Sequence, residues 1–230
     1  MRMAIIGYGK LGKAVGIAWE NAGGTVTHKI DSTTRWEASD LDCDLVLESS
    51  TPTSAAQNIR NCINAGLPVV VGSTGWHSEM PQIEDAIEKN MGQLFHATNF
   101  SIGVHLLNVI STHVAQTLSA FEEYTPSIVE SHHIHKLDKP SGTAITLSNK
   151  VQKAEHMSEI PINSIREGEI IGTHELIFDS EIDSISIKHE AKNRKGFALG
   201  AVKAANWLLE QKSEGRSGIF TMDDMINDIT

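Results

Sequence analysis

Over the first hundred residues, short apolar runs alternate with helix-like stretches. "MAIIGYG", "DLVLESS" and "PVVVGSTG" carry unbroken aliphatic segments that end in glycine- or serine-rich turns. Unbroken apolar runs suit strands buried on both faces, and strands separated by helices predict a parallel sheet of strand-helix-strand units. Between them, "LGKAVGIAWENAG" spaces Leu11, Val15, Ala18 and Ala22 by three and four. A helix burying that face and ending near Gly23 and Gly24 is expected. "TSAAQNIRNCINAG" repeats the pattern with Ala56, Ile59 and Ile63 before Gly66. In doubly wound sheets ligands sit at the carboxyl edge of the strands, where these turns fall.

From about residue 100 the pattern changes. "SIGVHLLNVISTHVAQTL" predicts a long amphipathic helix and "YTPSIVESHH" a strand. "KPSGTAITLSNKVQKA" sets Ala144, Leu147, Val151 and Ala154 on one helical face, with a start near Ser141 or Gly142. "THELIFDS" and "SISIKHEA" alternate, with Ile185 and Ile187 opposite Ser184, Ser186 and Lys188, the period of an antiparallel sheet with unlike faces. The tail reads as helix and then turns at Gly215 to Gly218. The expected fold is α/β: a Rossmann-like parallel-sheet domain from residues 1–100 and 201–230, with an inserted α+β domain over residues 101–200 for substrate binding and oligomerisation.

Composition narrows the partners. The 230 residues are 40% hydrophobic and carry a formal net charge of -10, which argues against nucleic acid or an anionic membrane. An anionic small molecule needs only a local positive cluster, because charges beyond a Debye length of roughly 8 Å are largely screened. Cys43 and Cys62 have no C-x-x-C spacing and read as buried thiols. The opening apolar run is too short for a signal-peptide core or a membrane span, so a cytoplasmic location is expected.

"GYGKLG" holds Gly7, Gly9 and Gly12 in G-x-G-x-x-G spacing between the first strand and helix. The first glycine permits the turn, the second admits a pyrophosphate to the backbone, and the third lets helix and strand pack closely. Asp31, 19 positions after Gly12, stands where an acid bonds the adenine ribose hydroxyls. An acid there repels a 2'-phosphate and predicts NADH over NADPH. Arg35 reads either as a cation for that phosphate or as a solvated surface residue.

"HHIHK" raises three readings. Along a strand His132 and His133 point to opposite faces, and no cysteine, Asp or Glu at ligand spacing completes a tetrahedral zinc set, so no metal is expected. A polar strand end is the bland reading. The third joins the histidines to the helix after Pro140: its first amides and the Thr143 hydroxyl form an anion site beside His132, His133 and Lys136. A histidine there can exchange a proton near neutral pH, the combination that a nicotinamide-dependent reductase of a small dicarboxylate needs.

"ESHHIHKLDKPSGTA" closely resembles the signature E-x-H-H-x-x-K-x-D-x-P-S-G-T-A of the 4-hydroxy-tetrahydrodipicolinate (dihydrodipicolinate) reductases of lysine and diaminopimelate synthesis. "GYGKLG", "GSTGW", "TNFSIGV", "REGEIIGTHE" and "AVKAANWL...GIFTMDDM" resemble the family's other landmarks in order, so the likeness covers essentially the whole chain. The resemblance implies His132 and Lys136 as proton-transfer residues, and His133, Ser141, Gly142 and Thr143 as substrate contacts. It implies NADH or NADPH held by Gly7, Tyr8, Gly9, Lys10, Leu11, Gly12 and Asp31, with Gly72, Ser73, Thr74, Ala97, Thr98, Asn99 and Phe100 on the nicotinamide side. A homotetramer formed through the inserted sheet is implied too.

Arg194 matches a family position near the substrate end of the hinge or is an exposed ion-pairing arginine. Arg166 reads as structural, and His174 and His189 as ordinary sheet residues. The chain departs from the family pattern in two places. The stretch after Asp31 is short, and "ESST" replaces an Asp-Phe-Thr or Asp-Phe-Ser run, which leaves Ser50 and Thr51 less secure near the nicotinamide. The rival readings are another amino-acid or imine dehydrogenase on the same scaffold and a non-catalytic dinucleotide sensor.

Overall fold

The computed structural model describes residues 1–155 and 159–230, and the chain divides into two units, residues 1–101 with 195–230 and residues 102–194. The first unit begins with β1 (Arg2–Ile6), α1 (Lys10–Asn21), β2 (Thr25–Ile30), β3 (Leu45–Glu48) and α2 (Pro52–Asn64). It continues through β4 (Val69–Val71), α3 (Met80–Asn90) and β5 (Gln93–His96). The second unit holds α4 (Ile102–Leu118), β6 (Thr125–His132), α5 (Gly142–Glu155), β7 (Ile162–Arg166), β8 (Thr173–Asp179) and β9 (Ser184–Glu190). The chain then returns to the first unit as α6 (Lys195–Ser213), β10 (Gly218–Phe220) and α7 (Met222–Ile229).

In the first unit the strand order is β10-β5-β4-β3-β1-β2, every neighbouring pair parallel. The order in which strands are added reverses between β1 and β3, the switch point at which doubly wound sheets open a crevice. Helices α1 and α6 cover one face and α2 and α3 the other, where Ala4, Ile6, Val46, Ile59, Ile63, Val69 and Ile83 form a core. Only a short 3-10 turn, Ala38–Asp40, lies between β2 and β3, so β2 is the sheet edge.

The buried face of α1 differs from the expected one. Gly12, Val15, Gly16 and Trp19 are buried, whereas Ala22 is exposed and Leu11 and Ala18 are half-buried. Glycines explain the rotation: a Cβ on Gly12 would stand 2.4 Å from the Gly7 carbonyl oxygen, and one on Gly16 3.2 Å from Ile5. The helix is drawn against β1 along a stripe with no side chains, which an apolar-residue pattern does not register. α3 and the short strands β5, β7 and β10 also went without prediction.

The second unit is a mixed sheet in the order β7-β6-β8-β9, where an antiparallel one was expected. β6, β8 and β9 are antiparallel, but β7 runs parallel to β6 after the crossover through α5. Leu107, Ile128, Ala144, Leu147, Val151, Leu176 and Phe178 form the core between helices and sheet. Alternate residues of β6 are buried, namely Pro126, Ile128, Glu130 and His132, so one strand face passes from apolar core to ionisable groups. Among the described residues no helix is long and apolar enough to cross a membrane.

Gly200 gives a test of the first unit. A Cβ there would fall 1.8 Å from the Phe100 carbonyl oxygen. Helix propensity alone would make Gly200→Ala stabilising by about 1 kcal/mol. Overpacking should win and destabilise by about 1–3 kcal/mol, read as a lowered urea midpoint; a midpoint equal to or above the parent's would refute the close approach.

Candidate active site

At the switch point, Gly7 has φ +90 and a Cβ on it would meet the Ser49 backbone at 2.4 Å, so the ends of β1 and β3 touch here. The Gly7 and Tyr8 amides donate to the Ile30 carbonyl at 2.9 and 3.1 Å, and the Ser49 hydroxyl donates to the Gly7 carbonyl at 2.9 Å. The first bond within α1 is Lys13 N–H to the Gly9 carbonyl, so the amides of Lys10, Leu11 and Gly12 have no partner inside the helix. No atom lies within 4 Å of a Cβ placed on Gly9. Donors beside an open backbone fit a diphosphate, which is the cofactor group the motif implies.

Asp31 follows β2 directly. Its Oδ1 accepts from the Thr33 amide (2.9 Å), the Thr33 hydroxyl (2.7 Å) and the Thr34 hydroxyl (3.0 Å). These bonds, Thr33's foremost, hold its pKa down to about 2. All three go to one oxygen, so the carboxylate is fixed in direction and ionised. Farther along the edge, a Cβ on Gly72 would meet Leu11 at 2.7 Å and Phe100 at 3.4 Å, so the turns after β1, β4 and β5 share one wall. The Ser73 carbonyl accepts from the Trp76 indole, and the Ala97 amide donates to the Val71 carbonyl. Thr74 and Thr98 are exposed and the Asn99 side chain accepts from the Ser101 amide. Ser50 is bonded to the buried Glu48, and Thr51 to Ser54. Arg35 is exposed.

In the second unit Glu130 is fully buried and His132 is 8% exposed. Two residues apart on a strand, they share a face, and His132 Nδ1 lies 2.5 Å from Glu130 Oε2. Arg166 places Nη2 2.8 Å from Glu130 Oε1. Burial pushes the Glu130 pKa up, but hydrogen bonds from Arg166, Ser164 and His132 outweigh it and the net shift is downward. Glu130 is therefore an ionised acceptor, and the proton between it and His132 sits on Nδ1. Burial also lowers the His132 pKa, against the raising effect of Glu130. A Cβ on Gly172 would lie 3.1 Å from His132 Nε2.

His174, opposite Glu130 in the β6–β8 register, packs its ring edge-on to His132 at 5.1 Å. Its Nε2 meets the Ser141 hydroxyl at 3.1 Å, and that hydroxyl accepts from the Ala144 amide as the cap of α5. Ser141, predicted as a substrate contact, is buried with its hydroxyl turned to these two partners. Gly142 opens α5, is exposed, and has nothing within 4 Å of a Cβ. Thr143 follows in the first turn.

His133 lies just past the end of β6, half-buried, and its carbonyl accepts from the Lys136 amide. Lys136 Nζ is 2.7 Å from Asp138 Oδ1, whose carboxyl it holds below the ordinary range. His135 is exposed, 3.9 Å from Glu169. Arg194 is exposed at the end of the unit.

Three groups were missed in the sequence. Glu130 and His174 join His132 in a buried set of donor atoms within 4.8 Å of one another, whereas the sequence reading counted no acid at ligand spacing. His132 Nδ1 and Glu130 Oε2 are committed to each other, and a guanidinium already occupies the carboxylate's other oxygen. That arrangement disfavours a cation. The spacing of Glu130 and His132 was a usable signal; the nearness of His174 depends on strand register, which the sequence does not print. Arg166, read as structural, is the third.

A doubly wound nucleotide-binding sheet joined to a mixed sheet with a buried carboxylate–histidine pair defines a dinucleotide-dependent oxidoreductase. The family descriptions "Dihydrodipicolinate reductase, N-terminus" and "Dihydrodipicolinate reductase, C-terminus" match residues 1–100 and 103–226, and the chain belongs to that family. It is 35% identical to the 4-hydroxy-tetrahydrodipicolinate reductase of Christiangramia forsetii, over 100% of this chain and 99% of that one. It is 34% identical to the enzyme of the same name from Thermosipho africanus, over 99% of each. The dipicolinate-bound dihydrodipicolinate reductase of Paenisporosarcina sp. TG-14 shares the fold, with a TM-score of 0.73 at 22% identity over 96% of this chain and 97% of that one.

Burial, with the charge of His132 adding to it, holds the His174 pKa down to about 4, below the roughly 6.5 of an unfolded histidine. A depressed folded pKa means that the neutral ring's contribution is complete above pH ~6.5 and is lost as pH falls toward ~4, about 3 kcal/mol in all. His174→Gln should flatten the fall in urea midpoint between pH 7 and 4. An unchanged acid limb would place that loss in other groups.

Proposed function

We propose that this chain reduces 4-hydroxy-tetrahydrodipicolinate to tetrahydrodipicolinate with NAD(P)H, the step of lysine and diaminopimelate synthesis for which its relatives are named. One observation carries the mechanism: a buried histidine with Nδ1 fixed on an ionised glutamate, beside a capped helix start. The first unit binds the cofactor and the second the substrate. NAD(P)H, when bound, supplies the hydride that reaches ring carbon 4 after the 4-hydroxyl leaves as water.

The chain's own residues bind, orient and move a proton. The start of α5, at Gly142 and Thr143, takes one substrate carboxylate, as helix N-termini favour anions. His133 and Lys136 offset the other charge. His132, with Nδ1–H held by Glu130, exchanges the proton at Nε2 with the carbon next to the reduction site. Lys136 is the alternative donor, but its ammonium is engaged by Asp138. Ser141 serves through the helix start that it caps, and its backbone faces the ligand. On the nucleotide side Gly7 to Gly12 hold the diphosphate, and Asp31 orients the ribose. Residues 72–74 and 97–100 line the nicotinamide. The outward face of the mixed sheet, with Ile185 exposed on β9, supports assembly into a homotetramer, which sedimentation velocity would read.

Pyruvate and aspartate semialdehyde, mixed with the preceding synthase and this protein, should give NADH oxidation at 340 nm; none above the synthase-only control would end this reading. In that assay His132→Gln should lower kcat by about 100- to 10,000-fold with little change in the KM for NADH. Near-normal turnover would remove His132 from its role.

Asp31 makes NADH the preferred cofactor in kcat/KM, because a fixed carboxylate repels a 2'-phosphate. Asp31→Asn should narrow the NADH to NADPH ratio. A parent enzyme faster with NADPH would overturn the role given to Asp31.

A further inference from the structure

Arg166 ends β7, paired in register with His132 of the neighbouring strand. Its guanidinium makes more than the one ion pair. Nη2 donates to Glu130 Oε1 at 2.8 Å and to the Asp138 carbonyl at 2.6 Å, Nε donates to the Lys136 carbonyl at 3.3 Å, and Nη1 donates to the Ile165 carbonyl at 2.7 Å. The side chain is 12% exposed. A planar fork of donors can serve a carboxylate and several carbonyls at once, and an ammonium cannot.

We propose that Arg166 is a positioning residue for both proton-handling groups, fixing Glu130 against His132 while holding the Lys136–Asp138 backbone in place. This rests on the reductase reading given above. The neighbouring chain contacts agree: the Glu167 amide donates to the His132 carbonyl and the Ile134 amide to the Gly168 carbonyl, so the turn after β7 is joined to the turn after β6 by backbone bonds as well. Without Arg166, Glu130 would be a buried carboxylate left with His132 and the Ser164 hydroxyl and no fixed cation, and the carbonyls of Lys136 and Asp138 would lose the donor that gathers them.

The groups facing His132 predict a specific signature. Glu130 comes from β6, Arg166 from β7, His174 from β8 and Lys136 from the following turn; α5 adds only the uncharged Ser141, and His189 of β9 reaches His174 but not His132. Glu130 raises the His132 pKa, while Lys136 and Arg166 lower it. If protonated His132 is the active form, kcat falls as pH rises through its pKa. Removing the Arg166 charge must then move that alkaline limb to higher pH, and retaining a cation must leave it in place.

The test compares the wild type with Arg166→Lys and Arg166→Met in the coupled assay across pH. Arg166→Lys should lose about 100-fold in kcat, the typical cost of a misplaced catalytic group, with the KM for NADH and the alkaline limb unmoved. Arg166→Met should lose at least as much and shift the limb upward. Wild-type kinetics in Arg166→Lys, or an unshifted limb in Arg166→Met, would overturn the proposal. An inactive wild type would instead defeat the reductase reading. A second readout needs neither activity nor a stable variant: nitrogen-15 NMR of ring-labelled histidine in the wild type should show His132 as the Nδ1–H tautomer from pH 7 to 8. The Nε2–H tautomer would overturn the proposal.

Discussion

A carboxylate with no exposed surface stays ionised only if fixed charges and donors replace the water it has lost, and Glu130 is such a group. Arg166 and His132 supply the replacement, one on each oxygen. Removing one partner of a buried pair of this kind typically costs about 3–5 kcal/mol, so chemistry and stability cannot be separated here. The guanidinium also gathers the chain around Lys136 and Asp138. On the other side, Ser141 joins the start of α5 to His174. The histidine-rich segment is thus less a loop laid on a scaffold than the polar end of the second unit's core, continuous with Ile128 and Leu176.

The two units present donors and charge by different means. In the first, the donors are backbone amides at the start of α1, beside Gly9, where nothing stands within 4 Å of a Cβ position. In the second, Lys136 pairs with Asp138, whose carboxylate also accepts from the Gly142 amide at the start of α5. A net charge of -10 does not decide the field at either place, because each field is local and distant charge is screened. Asp31 adds a carboxylate held in one direction by two threonines.

Much of this was legible in the residues. Aliphatic runs gave β1, β3 and β4, and the spacing of Ala144, Leu147 and Val151 gave the buried face of α5. The signature marked His132 and the helix start. What failed did so for identifiable reasons. The stripe of α1 was misplaced because its contact with β1 is made through Gly12 and Gly16, which count as nothing in an apolar pattern. β10 has three residues, too few for any period. The parallel placement of β7 follows from a crossover, and the approach of His174 to His132 from strand register; both are facts of assembly. Glu130 was readable in principle, since a two-residue step on a strand fixes a common face.

Gly172 carries a consequence for how such chains are recognised. It lies outside the histidine-rich segment, yet a methyl group on it would crowd the outer ring nitrogen of His132 at 3.1 Å. The backbone there is not in a left-handed conformation, so alanine would meet no backbone strain and would leave every residue of the histidine-rich signature unchanged, with its Cβ pressed on the His132 ring. A search keyed to the signature would accept that chain as an enzyme. What leaves room at the His132 ring is a missing atom in the turn just before β8, outside the histidine-rich signature.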